Sequence, residues 1–407
     1  MGHNKKGWAM EPVFGVIKHY DWGSTGGIPD ILGTEDDGNP QAEYWLGAHP
    51  SGPARMGETT LYDVINEHPE VVGVQNVRAY GSQLPFLMKI LSASQPLSLQ
   101  AHPNSEQAIA GFALEEELGL AIDDPTRTYK DTWHKPEILV ALTDFDALVG
   151  FRSPLESLAL FTELGLPSAT IQTMLGPLRH RDGGSGLAQV FLATLTMDDA
   201  RKHFLDEVVS AAVNHVTEQT DLGEFCRTAV LLDDYHSGDP SILAALLMNR
   251  IRLSPGDCLQ IRPGILHAYL FGTGVEVMAN SDNVLRGGLT RKHIDVDALV
   301  DVVDFTPAAP NLIQTITTAE PGILRYDEQV SEFSLWRLDL FLGREVELPA
   351  SDCGRILLVI DGHVECRVDG QELELVQGQS AFFPAGENVR LEGDCFAFVA
   401  GAGETRL

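Results

Sequence analysis

Cysteine is scarce in this sequence, and so is positive charge. The five cysteines, Cys226, Cys258, Cys353, Cys366 and Cys395, are odd in number and scattered, with no C-x-x-C pair. That spacing excludes a disulfide framework and a thiolate metal site, so any metal must be held by nitrogen and oxygen. Lys and Arg together number 28 against 58 Asp and Glu, a formal charge of −30. Such a surface repels nucleic acid and anionic membranes, which removes both from the expected partners. It also repels an anionic small molecule, so a phosphate-binding site would need its own local cluster of Lys and Arg. No apolar run is long enough to span a bilayer, and the opening "MGHNKKGWAMEPV" has no apolar core of a secretory signal. A cytoplasmic location is expected.

What remains is an ordinary globular composition, 44% hydrophobic and 21% charged, over 407 residues, enough for two or three domains. Up to Arg152 the text consists of short apolar runs broken by Gly and Pro, such as "PVFGVI", "AEYWLGAHP", "LPFLMKIL" and "PEILVALTDFDALVGF". These read as strands and turns. Short helices are expected at "TLYDVINEHP" and "NSEQAIAGFALEEEL", the second capped by Asn104 or Ser105. From 153 to 250 the apolar residues recur at three- and four-residue spacing, which predicts helices. Asp239-Pro240 supplies a cap and a first helical position there, and "RDGGSG" an exposed loop. Strand-like text resumes near 251 and continues to the end.

A weak internal repeat links "SPGDCLQIRPGILHAYL" (254–270) with "VQGQSAFFPAGENVRLEG" (376–393). Both run Gly, polar residue, short apolar run, Pro, then Gly and a turn, the scheme of the second half of a cupin motif, a barrel strand buried on one face. His267 follows three residues after Gly264 in the first copy, whereas Val389 stands three residues after Gly386 in the second. The second copy therefore has the scaffold without the ligand. The expected fold is mainly β with a helical insertion: two cupin-type jelly-roll barrels plus an α-helical domain. Residues 1–152 and 251–320 would form a catalytic cupin domain, 153–250 the helical insertion, and 321–407 a C-terminal cupin-like domain without metal ligands.

Four polar residues sit against segments that should be buried. Gln100 and His102 in "SLQAHPNSEQA" alternate, so on a strand they share a face. Glu137 opens the run "EILVAL", and His267 follows a Pro-Gly turn. Two imidazoles, a carboxylate and an amide oxygen suit Zn²⁺ and would accept Mn²⁺ or Co²⁺. Each residue alone reads more readily as a satisfied or solvent-facing polar group, and spacing does not join them. The stretch "EVMANSDNVLRGGLTRK" (276–292) holds Glu276, Asp282, Arg286, Arg291 and Lys292 among small residues, which suggests a loop over a pocket. Arg286 and Lys292 would supply the positive charge that an anionic substrate needs; a solvated loop with internally paired charges is the other reading.

"LPFLMKILSASQPLSLQAHP", "YKDTWHKPEILVAL", "PGILHAYL" and "GVEVMANSDNVLRGGLTRKHIDV", with "WGS" and "AEYWLGAHPSGPA", resemble type I mannose-6-phosphate isomerases, in the same order from about residue 12 to 300. The resemblance implies one Zn²⁺ per chain, held by Gln100, His102, Glu137 and His267. It implies interconversion of mannose 6-phosphate and fructose 6-phosphate through a cis-enediol. It places Arg286, Lys135, Glu276 and Asp282 as catalytic residues, and Ser98, Lys89, Tyr269, Lys292 and His134 at the substrate. The base stays open among Lys135, His134, Glu276 and Asp282. A monomer is the family-like default. Three other functions compete: isomerisation of a free or different phosphorylated sugar, non-haem iron oxygenation, and a two-barrel cupin that only binds. A fourth protein ligand, Gln100, opposes the oxygenase, whose usual triad keeps open positions.

Overall fold

Short apolar runs build two large antiparallel sheets, beside a two-stranded one at Arg55–Met56 and Thr59–Thr60, in the computed structural model, which describes residues 9–181, 184–196, 198–348 and 351–403. Most of the opening stretch read for a secretory signal lies outside the described residues, as do two positions of "RDGGSG". The first sheet has 11 strands drawn from residues 16 to 313, and the second has nine, mostly from 315 to 401. The mainly β expectation with an interposed helical stretch holds. Among the described residues the strand pairing does not run round into a closed barrel; the expected barrels are two branched sheets packed through a shared apolar layer. Tyr44, Met88, Ile90, Ile138 and Val275 face that layer from the first sheet, and Leu335, Ile356, Leu358 and Phe398 from the second.

The first described strand belongs to the second sheet. Strand Glu11–Val13 pairs with Ser380–Phe383, and only Val16–Lys18 enters the first sheet, beside Glu43–Gly47. Short runs such as "EPV" carry no signal of which sheet they will join, because their partner lies far along the chain.

Helices run from Pro154 to Ala245. Ser153 caps the first by accepting the Glu156 N–H, with Pro154 at the position whose N–H is not needed. Phe161, Phe191, Phe204 and Phe225 join Leu99, Leu148 and Leu285 of the first sheet in one core, so the helices cover that sheet's outer part. Two local expectations shift. Gly184-Ser185-Gly186 opens helix Gly184–Leu195 rather than belonging to a loop, and Gly186 is buried where a Cβ would stand 2.6 Å from the Pro177 carbonyl oxygen. Pro240 caps helix Ser241–Ala245 one residue later than expected, with Asp239 accepting from the Ser241 N–H and hydroxyl. Asn104 caps Ser105–Glu117 as expected, with a reciprocal bond to Gln107.

The internal repeat is visible as structure. Cys258–Ile261 and Ser380–Phe383 are each followed by a Pro-containing turn and a long strand. Gly264 (φ 86°) and Gly386 (φ 82°) take the left-handed conformation at the same place in each turn. Gly264→Ala should lower stability by about 1–2 kcal/mol, because the backbone conformation penalises a Cβ that would also approach the Val302 carbonyl to 3.2 Å. Gly386→Ala, with nothing within 4 Å of its Cβ, should cost less; chemical denaturation of the two variants compares them.

Candidate metal centre

Alternation places the chemistry on one face of four neighbouring strands, Glu137–Ala141, His267–Ala279, Phe86–Ala93 and Glu43–Gly47. Their apolar alternates fill the layer between the sheets. Glu43, Trp45, Lys89, Glu137 and Glu276 turn to the other face and line a cavity of about 570 Å³. Register aligns them: Lys89 lies opposite both Glu276 and Trp45, and Gln100 lies opposite both His267 and Arg286. The strand His267–Ala279 bends at Gly272 (φ 122°). That bend lets the Tyr269 hydroxyl reach Glu276 Oε1 at 3.0 Å, although a straight strand would hold residues seven apart about 23 Å from each other.

His102, Glu137 and His267 meet in one cluster, of which Glu137 lines the cavity, with donor atoms within 4.8 Å of one another. All three are nearly fully buried. His102 Nδ1 donates to the Asn283 carbonyl at 2.7 Å and His267 Nδ1 to the Ile265 carbonyl at 3.0 Å. Each bond fixes the tautomer, leaving an Nε2 lone pair turned to the cluster. These nitrogens lie 3.3 and 3.5 Å from the two Glu137 oxygens. Neither nitrogen has a hydrogen-bond partner, nor does Glu137 Oε2. Buried polar atoms without partners are costly, so three orphans aimed at one point fit a bound cation. Burial pushes the His102 imidazole down to about 4, so it is a neutral ligand at physiological pH. Burial works to raise the Glu137 carboxyl, but Lys135, 3.1 Å away, and His102 outweigh it and hold the group well below the usual range. The donor set fits one zinc ion.

Around this centre most carboxylates are paired. Lys89 Nζ lies 3.1 Å from Glu276 and 3.5 Å from Glu43. Burial opposes its charge, yet Glu43, Glu276 and Glu137 outweigh burial and push the ammonium up. Asp282 receives His49 Nε2 at 3.3 Å. Arg286, Lys130 and Lys292 form a basic wall of the same cavity, and none of the three has a carboxylate partner among the described residues. Burial, then the charges of Arg286 and Lys130, pull Lys292 down.

The cavity gathers Ser98, Tyr269, Lys135, Asp282 and Gln100 as well. His134 is the exception. Neighbours on an extended chain point opposite ways: Lys135 enters the cavity, while His134 turns away to Glu332 at 2.8 Å. The stretch 276–292 is also less loop-like than expected, since Glu276 lies within the strand that ends at Ala279 and Leu285–Gly288 forms another. Sequence reasoning passed over Glu43, His49 and Lys130. All three lie inside the quoted motifs "AEYWLGAHP" and "YKDTWHKPE"; even spacing from Trp45 was the available signal for Glu43 and His49, and Lys130, in a loop, carried none.

Residues 11–154 match the family model described as phosphomannose isomerase type I, catalytic domain. The mannose-6-phosphate isomerase of Salmonella typhimurium is 35% identical over 93% of this chain and 96% of its own. That of Escherichia coli is 32% identical over the same shares. The chain belongs to the phosphomannose isomerase family. A solved zinc-bound mannose 6-phosphate isomerase superposes with a TM-score of 0.87 at 31% identity, covering 97% of this chain and all of that one. A likeness this extensive makes the fold of the chain that of the phosphomannose isomerases, a cupin-type fold.

Proposed function

We infer that the protein is a zinc-dependent aldose–ketose isomerase that interconverts mannose 6-phosphate and fructose 6-phosphate. The observation that carries this reading is the buried His102–Glu137–His267 cluster, with its unpartnered nitrogens, whose Glu137 lines a cavity that also holds the basic residues Arg286, Lys130 and Lys292. Gln100, on that cavity's lining and opposite His267 in the sheet, completes the ligand set through its amide oxygen. When bound, zinc supplies Lewis-acid stabilisation of negative charge developing on a sugar oxygen.

The chain's own residues do the rest. Arg286, Lys292 and Lys130 hold the phosphate and set the sugar's reach into the cavity. The isomerisation moves a proton between C2 and C1 through a cis-enediol and needs a group that can accept and return it. Glu43 has both oxygens engaged, by the Trp45 indole N–H and by Lys89. Glu276 has both engaged, by Tyr269 and Lys89. Glu137 belongs to the metal cluster and pairs with Lys135. Asp282 keeps Oδ2 without a side-chain partner among the described residues, and its side chain is 39% exposed to the cavity. On this reading Asp282 carries the proton, and Lys135 acts as a charged contact to Glu137 and to sugar hydroxyls. Lys89 and Tyr269 hold Glu276, and Ser98 lines the sugar path.

The same reading takes the protein as a cytoplasmic monomer without nucleic-acid or membrane partners. Its charge of −30 supports the exclusion of polyanions, and no helix of the described residues is long and apolar enough to cross a membrane. Residues 321–407 serve as a metal-free support, since Val389, fully buried, stands where the first copy has His267. Substrate choice is tested by comparing mannose 6-phosphate with free mannose. The basic wall predicts a kcat/KM at least about a hundredfold higher for the phosphorylated sugar; equal values would reassign the cavity to a neutral sugar.

A further inference from the structure

We propose that His49 is a positioning residue for Asp282, holding its carboxylate so that one oxygen stays directed at the substrate. This rests on the isomerase reading and adds to it a residue that does not itself touch the sugar. His49 follows the strand Glu43–Gly47 and is 3% exposed. Its Nδ1 accepts the Ser51 backbone N–H at 3.1 Å. A neutral ring that accepts at Nδ1 carries its proton on Nε2, and that nitrogen lies 3.3 Å from Asp282 Oδ1. The Asp282 backbone is held from the other side, its N–H donating to Asp131 Oδ2 at 2.8 Å. The ring itself is fixed edge-on to Trp45, with centroids 5.0 Å apart.

Two anchors on one carboxylate-bearing residue leave a single oxygen, Oδ2, for the cavity. The side chain is short and would otherwise rotate through staggered rotamers with either oxygen presented. An imidazole in a fixed tautomer, packed against an indole, selects one of them. The arrangement has the logic of a base oriented by a third group, with the order of histidine and carboxylate reversed. The Nδ1 bond to Ser51 matters because it removes the other tautomer, in which Nε2 would be an acceptor facing a carboxylate.

A mutant cycle with two His49 variants separates this role from packing. His49→Phe keeps a ring against Trp45 and removes the donor. His49→Gln offers an amide N–H near the place of Nε2. Steady-state kinetics on mannose 6-phosphate, thermal melts and zinc content are measured for both, for Asp282→Asn, and for His49→Phe with Asp282→Asn. The expected result is a fall in kcat of about 10- to 100-fold for His49→Phe, with KM and zinc content close to wild type. His49→Gln should recover much of that loss, and the double variant should be no slower than Asp282→Asn alone. An undiminished kcat in His49→Phe overturns the inference, as do losses that multiply in the double variant. Wild-type protein inactive on mannose 6-phosphate overturns the isomerase reading with it, whereas active wild type with an unimpaired His49→Phe overturns this inference alone.

Discussion

His267→Ala should purify with almost no zinc and turn over mannose 6-phosphate on the order of a thousandfold more slowly than wild type, the scale of losing a principal charge-stabilising group. Three features make this the most damaging single truncation. His267 is fully buried, so water cannot easily take the place of its nitrogen as a ligand. Its Nδ1 is committed to the Ile265 carbonyl, so the lost ring is a pre-oriented donor rather than a mobile one. Its Nε2 has no hydrogen-bond partner of its own, so that nitrogen is committed to the cluster alone. Elemental analysis and a coupled assay on the same preparation check the prediction. Retention of wild-type zinc would show that His267 is a core histidine and not a ligand.

Arg286→Ala should reduce kcat/KM by about a hundredfold or more while shifting the melting temperature by only a few degrees. The asymmetry follows from its surroundings. Arg286 is partly buried and has no carboxylate partner among the described residues, and burial alone pulls its guanidinium down. Removing it strands no opposite charge, so the fold loses little. Lys89 makes the contrast, because its removal would leave Glu43 and Glu276 as uncompensated buried carboxylates. Arg286→Lys should recover only part of the activity, since an ammonium cannot reproduce the planar fork. Steady-state rates and melts on the same variant decide the matter; equal proportional losses in both would make Arg286 a structural residue.

The strands around the site were legible in the sequence because they are apolar on both faces, and the polar exceptions stand out against such text. Lys89 in "LPFLMKIL" and Glu276 in "GVEVMA" interrupt runs that the sheets bury completely. The helical stretch was legible from its spacing. What escaped depended on contacts distant in sequence. Glu11–Val13 finds its partner at Ser380–Phe383, and nothing local distinguishes it from Val16–Lys18. His134 and Lys135 are equally polar, and only the direction of the extended chain sends one to Glu332 and the other to the cavity. Short helices such as Gly27–Leu32 and Val74–Tyr80 are too brief to show a period. At the site, four ligand candidates could be named from motifs, but the tautomers that aim His102 and His267 come from backbone carbonyls of Asn283 and Ile265. Backbone acceptors leave no mark on residue identity.

The central claim is that the buried cluster binds the metal on which sugar-phosphate isomerisation depends. The most direct measurement is a coupled assay of mannose 6-phosphate to fructose 6-phosphate on protein as purified, after chelation, and after zinc is returned, with zinc per chain determined at each stage. The account predicts that activity disappears with the metal and returns in proportion to zinc bound, up to one ion per chain. Full activity in protein shown to be free of metal, or none in zinc-loaded protein, would contradict it.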